Sequence, residues 1–428
     1  MSRQASRRDR LVSFRRELHR KPEPAWREFW TTARIVEELE SIGVDELHVG
    51  PDAIDPDLRT GVPDEAELEE WYQQALDAGA DESVLEKLRG GNTGAVAVLR
   101  TGEGPTVGLR VDIDALPITE SEEGLHAPAE GGFRSEHEGS MHACGHDAHA
   151  TLGIGVIEAV KDSDFSGTLK VFFQPAEEVV GGGEPMAKSG HLDDVEYLFA
   201  AHVGLDHPTG EVIAGMDGFL AVTGIEAEFH GASAHAGGRP EEGRNAVQAL
   251  AAAVQGLYGI PRHSEGVTRV NAGKIGGGTA SNIVPEYAYT EMEVRGGTTE
   301  LRDYMRERAE AVLEGAAETH DCELETTVTS EAPSATSDEA LADVVSEVAA
   351  DVAGVDSVLR RADLGGSEDA SYLMQHVQDR GGRATYVGIG TDHPGGHHTP
   401  TFDVDEDSLE IGVDTLAGAI RAVADRDP

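Results

Sequence analysis

The chain has 428 residues, more than the roughly 250 to 300 that one hydrophobic core usually serves, so two domains are expected. Its 34 basic and 80 acidic residues give a net charge of −46, which argues against binding to nucleic acid or to an anionic membrane. Hydrophobic residues make up 39% of the chain and recur in strand-like and helix-like patterns, which excludes an acidic disordered protein.

Composition also predicts location and habitat. No segment reaches the roughly 18 apolar residues of a membrane span, and the basic first 20 residues lack the apolar stretch of a secretory signal. Cys144 and Cys322 are the only cysteines, so a reducing cytoplasm is expected. A folded protein with so much like charge repels itself at low salt, and we therefore hypothesise a halophilic source.

The first predicted elements are helical. Spaced apolar residues over 9–41 indicate two helices around the turn KPEP (21–24), and nothing in them indicates catalysis. Residues 51–91 are rich in Asp, Glu, Pro and Gly, with one helical stretch near 65–79. This composition is typical of a solvated surface insertion.

Strands then alternate with helices, which predicts an α/β fold. The predicted elements are strands at 95–99, 107–116, 169–173 and 197–203, with a helix near 148–160. From about residue 217 the pattern becomes α+β, with strands at 225–231, 268–275 and 287–295, a helix at 245–258 and another from 299. A strand at 384–390 and a helix near 406–424 end the chain.

We therefore predict two domains. Residues 1–216 and 333–428 form a catalytic domain with a mixed sheet, and residues 217–332 form a smaller inserted α+β domain.

The densest cluster of chemically capable residues is MHACGHDAH (141–149), which holds His142, Cys144, His146 and His149 just before a predicted helix. Transition metals bind thiolate and imidazole donors that converge on one point. We therefore favour metal binding at Cys144 and His146 over simple packing.

A second cluster, FFQPAEE (172–178), places Glu177 and Glu178 at the end of an apolar strand, where α/β enzymes bind ligands. Neighbouring glutamates on a surface are usually only solvated. In this position one carboxylate can bind a metal while the other moves protons as a general base and acid.

Further candidates also follow strands. His202 follows the run LFAA, and His398 lies in GHHTP (396–400); each alone could be an ordinary polar residue. Asp112 and Asp114 in RVDIDALP point the same way on an extended strand, so either could orient a ligand by hydrogen bonding or simply cap a turn.

Together these motifs resemble the aminoacylase and glutamate-carboxypeptidase family of dinuclear amidohydrolases, in the branch of hippurate and indole-acetyl amino acid hydrolases. Within that branch, the segments TGVPDEAEL, HSEGVTRVN and GSEDASYLM resemble the hydrolases of aminobenzoyl-glutamate. The resemblance runs nearly the whole length of the chain.

The resemblance implies roles for individual residues. Its metal ligands are Cys144, His146, Glu178, His202 and His398, with His397 as the alternative to His398. Glu177 would be the general base, and Asp114 would orient the metal site. The smaller domain would form a dimer and supply His235, in HGASAHAG, to stabilise the oxyanion, while Asn282 and Arg295 would hold the substrate carboxylate. A surface arginine at a strand edge is the other interpretation of Arg295.

The implied cofactor is a pair of divalent ions, manganese or zinc, in each subunit. The implied reaction splits aminobenzoyl-glutamate into aminobenzoate and glutamate. A general N-acyl amino acid hydrolase, a dipeptidase and a non-catalytic metal-binding relative are the alternatives, and an intact Glu177 disfavours the last. The implied partner is a second copy of the chain or a related B-type subunit.

Overall fold

A computed structural model describes residues 6–393 and 395–424. The chain forms two compact units. The first comprises residues up to Asp217, Thr336–Leu364 and residues from Asp369 onward, and the second comprises Gly218–Ala335 and Gly365–Glu368. The second unit therefore interrupts the chain of the first. We keep the predicted boundaries at 217 and 332 as a proposal for where independently folding domains begin and end.

The first unit begins with two helices and then alternates strands with helices. Its elements up to residue 217 are α1 (Arg7–Arg20), α2 (Phe29–Ile42), β1 (Glu46–Val49), α3 (Glu65–Asp77), α4 (Glu82–Leu88), β2 (Ala95–Arg100), β3 (Thr106–Asp112), α5 (Ala127–Gly131), α6 (His146–Lys161), β4 (Thr168–Gln174), α7 (Gly183–Ala187), β5 (Tyr197–Val203), β6 (Glu211–Ile213) and β7 (Met216–Asp217). The helices predicted on either side of KPEP are present.

The segment 51–91 differs from its prediction as a solvated insertion. Helices α3 and α4 both bury an apolar side in the core of the first unit, through Leu68, Tyr72, Ala75, Val84, Leu85 and Leu88. The prediction was wrong for this face, because the many acidic residues on the other face dominate the composition of the segment.

The second unit is a four-stranded antiparallel sheet with two helices. Its elements are β8 (Ala221–His230), α8 (Ala246–Tyr258), β9 (Thr268–Gly277), β10 (Tyr287–Gly296), α9 (Thr299–Thr319) and β11 (Glu323–Ala332), and the strand order is β11-β8-β10-β9. Alternate residues of β8, such as Ile225, Ala227 and Phe229, share a core with α8 and α9. Strand β11 was not predicted because its sequence, ELETTVTSEA, is largely exposed and lacks alternating apolar residues.

The chain then completes the first unit. The remaining elements are α10 (Glu339–Ala349), β12 (Ser357–Leu359), β13 (Ala362–Asp363), α11 (Ala370–Asp379), β14 (Arg383–Ile389) and α12 (Asp407–Ala424). The main sheet has eight strands in the order β1-β2-β4-β3-β5-β14-β6-β12, so the predicted mixed α/β fold is confirmed. Among the described residues, no helix has the length and apolar character needed to cross a membrane.

Four central strands determine where the candidate site lies. Strand β3 runs parallel to β4 and to β5, and β14 runs parallel to β5. Their carboxyl ends therefore meet at one edge of the sheet, which is where open α/β sheets bind ligands. The residues that follow these four strands include every candidate ligand outside the MHACGHDAH motif.

Candidate metal centre

Cys144 and His146 lie on either side of Gly145, immediately before α6. Gly145 has a φ of 86°, and a Cβ atom there would lie 2.6 Å from the side chain of Val203. Only glycine tolerates both conditions. The tight turn leaves Cys144 in the loop and makes His146 the first residue of the helix, with exposed fractions of 8% and 1%.

The ring of His146 is oriented by Asp114. Its Nδ1 lies 3.1 Å from Oδ1 of Asp114, while its Nε2 is buried without a hydrogen-bond partner. A carboxylate that accepts the Nδ1 proton leaves a lone pair on Nε2, which is the form of histidine that binds metals. The other oxygen of Asp114 accepts the backbone N–H of Glu178 at 3.0 Å. Asp114 thus orients two candidate ligands at once.

Glu177 and Glu178 begin a single 3₁₀ turn after β4. Oε1 of Glu178 lies 3.8 Å from Nε2 of His146 and is buried without a hydrogen-bond partner. Its Oε2 lies 3.5 Å from Nε2 of His398. Glu177 is 9% exposed and offers a carboxylate oxygen to the same cluster. The two adjacent carboxylates therefore both face the site.

His202, the penultimate residue of β5, is also held in a metal-binding form. Its Nδ1 donates a hydrogen bond to the carbonyl of Val203 at 2.7 Å. The remaining nitrogen, Nε2, lies 3.6 Å from Sγ of Cys144. The ring is buried, and burial holds the pKa of His202 well below its usual range, so the ring is neutral and can donate a lone pair.

His397 and His398 both approach Cys144 but differ in what they can bind. His398 offers a nitrogen to the group that contains Cys144 and Glu178. In His397, Nε2 accepts the backbone N–H of Leu205 at 2.9 Å, and Nδ1 lies 3.5 Å from Sγ of Cys144. This geometry favours His398 as the ligand, with His397 as a donor to the sulfur.

The donor set fits a metal centre. Two groups have all their donor atoms within 4.8 Å of one another, namely Cys144, His146 and His202, and Cys144, Glu178 and His398. Two donors bound to one tetrahedral ion at about 2.0–2.3 Å lie roughly 3.3–3.8 Å apart. The separations around Cys144 and Glu178 match that spacing, and Cys144 belongs to both groups.

Electrostatics in the cluster also favour bound cations. Burial raises the pKa of Cys144 well above its usual range, and burial with the nearby Asp114 and Asp112 raises the pKa of Glu178 to about 8. Burial opposes a charge on His146, but Asp112 and Asp114 still hold its pKa well above normal. Divalent cations would supply the positive charge that these acidic donors need, and their binding would release protons.

Behind the ligands lies a buried supporting layer. Asp112 contacts Nδ1 of His149 and accepts a hydrogen bond from Nη1 of Arg110 at 2.8 Å. Nε2 of His149 accepts the backbone N–H of Val203 at 2.8 Å. Its ring stacks on His146 with centroids 5.1 Å apart. Both nitrogens of His149 are thus engaged, which makes it a support for the site.

His235 lies in the second unit, where it is exposed. Its Nδ1 accepts the backbone N–H groups of Gly237 and Gly238 at 3.1 and 3.0 Å. In the neutral ring the proton must then reside on Nε2, which becomes a hydrogen-bond donor. This is the form that an oxyanion requires.

The two candidate substrate-binding residues have different surroundings. Asn282 is exposed, and its carbonyl accepts the backbone N–H of Ala236, next to His235. Arg295 lies on β10, an interior strand of its sheet, so the strand-edge interpretation is wrong. Its guanidinium makes two hydrogen bonds to Glu293, at 2.8 and 2.9 Å, and contacts Ser367. A substrate carboxylate would have to compete with this ion pair.

Two further residues touch the site through the backbone and were given no role from the sequence. Glu28 lies in the helical region where nothing catalytic was predicted, yet its carboxylate accepts the N–H of Ala176. Asp369 lies in GSEDASYLM, a segment noted only for its resemblance, and accepts the N–H groups of Gly182 and Gly183. That motif was the one available signal for Asp369, whereas a lone glutamate offered none for Glu28.

Comparison with known proteins identifies the family. The model of "Peptidase family M20/M25/M40" matches residues 108–422. The chain belongs to this family. The match spans the metal cluster, the Glu177–Glu178 turn and the C-terminal histidines, so this M20 member carries its candidate ligands inside the matched region.

Individual relatives cover almost the whole chain. An indole-3-acetyl-aspartic acid hydrolase of Enterobacter agglomerans is 42% identical over 95% of this chain and 94% of its own length. The A-type chain of the p-aminobenzoyl-glutamate hydrolase of Escherichia coli (strain K12), named as one of that enzyme's subunits, is 39% identical over 95% and 94%. Both are named as hydrolases of an amide bond, and this M20 member is accordingly a metal-dependent amidohydrolase.

Solved structures show the same fold. An aminobenzoyl-glutamate utilization protein from Klebsiella pneumoniae has a TM-score of 0.83 and 36% identity, covering 98% of this chain and 97% of its own. A Bacillus subtilis protein described as a dinuclear metal binding peptidase from the M20 family has a TM-score of 0.70 at 24% identity, covering 98% of each chain. The second shows the likeness of fold alone.

Proposed function

We propose that this M20 amidohydrolase cleaves the amide bond between an aromatic acyl group and an acidic amino acid, with aminobenzoyl-glutamate as the substrate. The observation that carries the proposal is the paired carboxylates of Glu177 and Glu178 at a cluster of metal donors built around Cys144. The relatives support the substrate class, because aminobenzoyl-glutamate and indole-3-acetyl-aspartate both join an aromatic acyl group to a dicarboxylic amino acid.

The proposed ligands are Cys144, His146, Glu178, His202 and His398. When bound, two divalent ions would polarise the scissile carbonyl and lower the pKa of the attacking water. The thiolate of Cys144 favours zinc, while the imidazole and carboxylate donors also suit manganese. Asp114 keeps His146 and the backbone of Glu178 in place.

Glu177 is the proposed proton carrier. It takes a proton from the water as the oxygen–carbon bond forms, and it returns that proton to the nitrogen as the carbon–nitrogen bond breaks. The products are the free acid and the amino acid. The adjacent Glu178 is the proposed ligand, so the pair divides the work between metal binding and proton transfer.

The second unit is proposed to complete the site in a dimer. His235 would donate its Nε2 proton to the oxyanion, and Asn282 and Arg295 would hold the carboxylate of the amino acid. The naming of the Escherichia coli relative as one subunit of its enzyme supports a partner, either a second copy of this chain or a related B-type chain. Size measurement of the purified chain, alone and mixed with such a partner, tests which applies.

The test is hydrolysis by the purified protein in high salt with manganese or zinc. The substrates are aminobenzoyl-glutamate, indole-3-acetyl-aspartate, an N-acetyl amino acid and a dipeptide. Glu177→Gln is the inactive variant, and Glu130→Gln, an exposed glutamate of the same unit, is its matched control.

Metal-dependent release of glutamate that Glu177→Gln abolishes and Glu130→Gln preserves is the expected result. Cleavage of only the N-acetyl amino acid would replace the proposed substrate with the general hydrolase, and cleavage of only the dipeptide would make the enzyme a dipeptidase. No cleavage by the chain alone or with a B-type partner would refute the catalytic role.

A further inference from the structure

The turn that carries Glu177 and Glu178 has an unusual backbone. It runs from the end of β4 to the start of α7, and two of its non-glycine residues, Ala176 and Val180, have φ values of 56° and 54°. Such residues rarely adopt the left-handed region, and they remain there only when the surrounding structure enforces it. The side chains that enforce it here are buried carboxylates from other elements.

Glu28, at the start of α2, holds the first end of the turn. One carboxylate oxygen accepts the N–H of Ala176 at 2.8 Å, and the other accepts the hydroxyl of Thr93 at 2.7 Å. The side chain is fully buried. Because Ala176 directly precedes Glu177, this contact fixes the point from which the catalytic carboxylate leaves the strand.

Asp369, at the start of α11, holds the second end. Its Oδ2 accepts the N–H groups of Gly182 and Gly183 at 3.1 and 2.7 Å. Its Oδ1 accepts hydrogen bonds from Nε2 of Gln174 at 2.6 Å and Nη2 of Arg110 at 3.2 Å. The residue is fully buried, and all four of these contacts come from donors.

We propose that Glu28 and Asp369 are positioning residues that hold the two ends of the turn and so aim Glu177 and Glu178 at the reaction centre. The proposal rests on the hydrolase function above. Neither residue would touch substrate or metal, and each acts through backbone N–H groups. A displacement of about 1 Å at a reacting group can slow turnover about 100-fold.

The hydrogen-bond chemistry predicts opposite responses to conservative substitution. In Glu28→Gln the amide oxygen can accept from Ala176 while the amide nitrogen donates to Thr93, whose hydroxyl accepts as readily as it donates. Burial, with the charge of Asp114, raises the pKa of Glu28 to about 8, so glutamine also resembles its neutral form. In Asp369→Asn the amide nitrogen must face two donors, so that side of the clamp is lost.

The experiment compares Glu28→Gln, Glu28→Ala and Asp369→Asn with a matched control. The control is Glu23→Gln, since Glu23 is equally buried and accepts two backbone N–H groups, but those belong to Trp30 and Thr31 of α2. The measurements are kcat and KM on whichever substrate the wild-type protein cleaves, the thermal unfolding midpoint, and hydrogen–deuterium exchange of a peptide covering residues 174–184.

We expect kcat to fall about 100-fold in Asp369→Asn and Glu28→Ala with little change in KM, together with faster exchange in the 174–184 peptide. Glu28→Gln and Glu23→Gln should keep the wild-type kcat and exchange. Wild-type kcat in a folded Asp369→Asn or Glu28→Ala variant would overturn the proposal, as would equal losses in Glu28→Gln and Glu28→Ala. Should Asp369→Asn fail to fold, the Glu28 pair still decides.

The exchange measurement separates this inference from the proposed function. If the wild-type protein cleaves no substrate, the function fails, but slow exchange in the wild-type turn that becomes fast in Asp369→Asn would still support the clamp. If the wild-type protein is active and exchange does not change, the clamp fails while the function stands.

Discussion

His235 is an exposed side chain whose chemistry is set by two backbone groups. Gly237 and Gly238 donate to its Nδ1 and leave Nε2 as the outward donor. An oxyanion-hole donor is worth about 2.7–4 kcal/mol, or roughly 100- to 1000-fold in kcat. We predict that His235→Ala lowers kcat by such a factor while leaving the unfolding midpoint unchanged, since the side chain packs against little. His230→Ala, on β8 of the same unit, is the control; an unchanged kcat in His235→Ala would remove His235 from the mechanism.

His19 belongs to a buried charged cluster beneath the metal motif. Its two nitrogens lie 2.9 and 2.8 Å from carboxylate oxygens of Glu120 and Asp147. Burial and the neighbouring Arg15 oppose its charge, but the two carboxylates prevail and raise its pKa from 6.5 to about 9. The ring of His142, with centroids 6.4 Å apart, faces the same cluster.

A raised folded pKa predicts a pH-dependent stability. The contribution of His19 is fully present below about pH 6.5 and is lost as the pH rises through about 9, with a size on the order of 3 kcal/mol. Unfolding midpoints measured from pH 6 to 10 should fall less steeply in His19→Gln than in the wild type. His320→Gln is the control. Parallel profiles for the wild type and His19→Gln would contradict the assignment.

At the scale of elements, the turn after β4 is where packing is tightest. A Cβ atom at Gly182 would lie 1.7 Å from the carbonyl oxygen of Pro175, so any side chain there must move the backbone that carries Glu177. We predict that Gly182→Ala lowers both kcat and the unfolding midpoint. Gly315→Ala in α9, where a Cβ would meet no atom within 4 Å, should raise the midpoint slightly, as alanine favours helices by about 1 kcal/mol over glycine. Wild-type activity in Gly182→Ala would show that the turn can relax.

Parallel strands explain how ligands so distant in sequence meet. Asp114, Glu178 and His202 follow or end β3, β4 and β5, and His398 follows β14. Because these strands are neighbours with one direction, their carboxyl ends form a single row. The short loop to α6 then adds Cys144 and His146 to that row.

At the scale of the whole molecule, like charge is the dominant electrostatic term. A net charge of −46 destabilises a compact chain, and the Debye length falls from about 10 Å at 0.1 M salt to about 3 Å at 1 M. We predict that the unfolding midpoint rises steadily between 0.1 and 2 M KCl, and that sucrose at equal osmolality does not reproduce the effect. A midpoint that falls with KCl would mean that surface ion pairs, such as Arg7 with Asp414, outweigh the repulsion, and would refute the halophilic hypothesis.

The sequence by itself determined the alternation of strands and helices, the mixed α/β fold and the local motifs MHACGHDAH and FFQPAEE. These are short-range signals, because apolar periodicity and adjacent donor residues are visible without knowing which strands pair. Strand β11 and the buried faces of α3 and α4 escaped prediction, since their surroundings rather than their own sequences decide which residues are covered.

Only the tertiary structure decided which residues act on the motifs from a distance. The order of the parallel strands brings His202 and His398 to Cys144, and the N–H of Leu205 on His397 favours His398 over its neighbour as a ligand. Glu28 and Asp369 reach the Glu177 turn from 148 and 187 residues away in sequence. Such contacts arise from chain topology and burial, which no local pattern encodes.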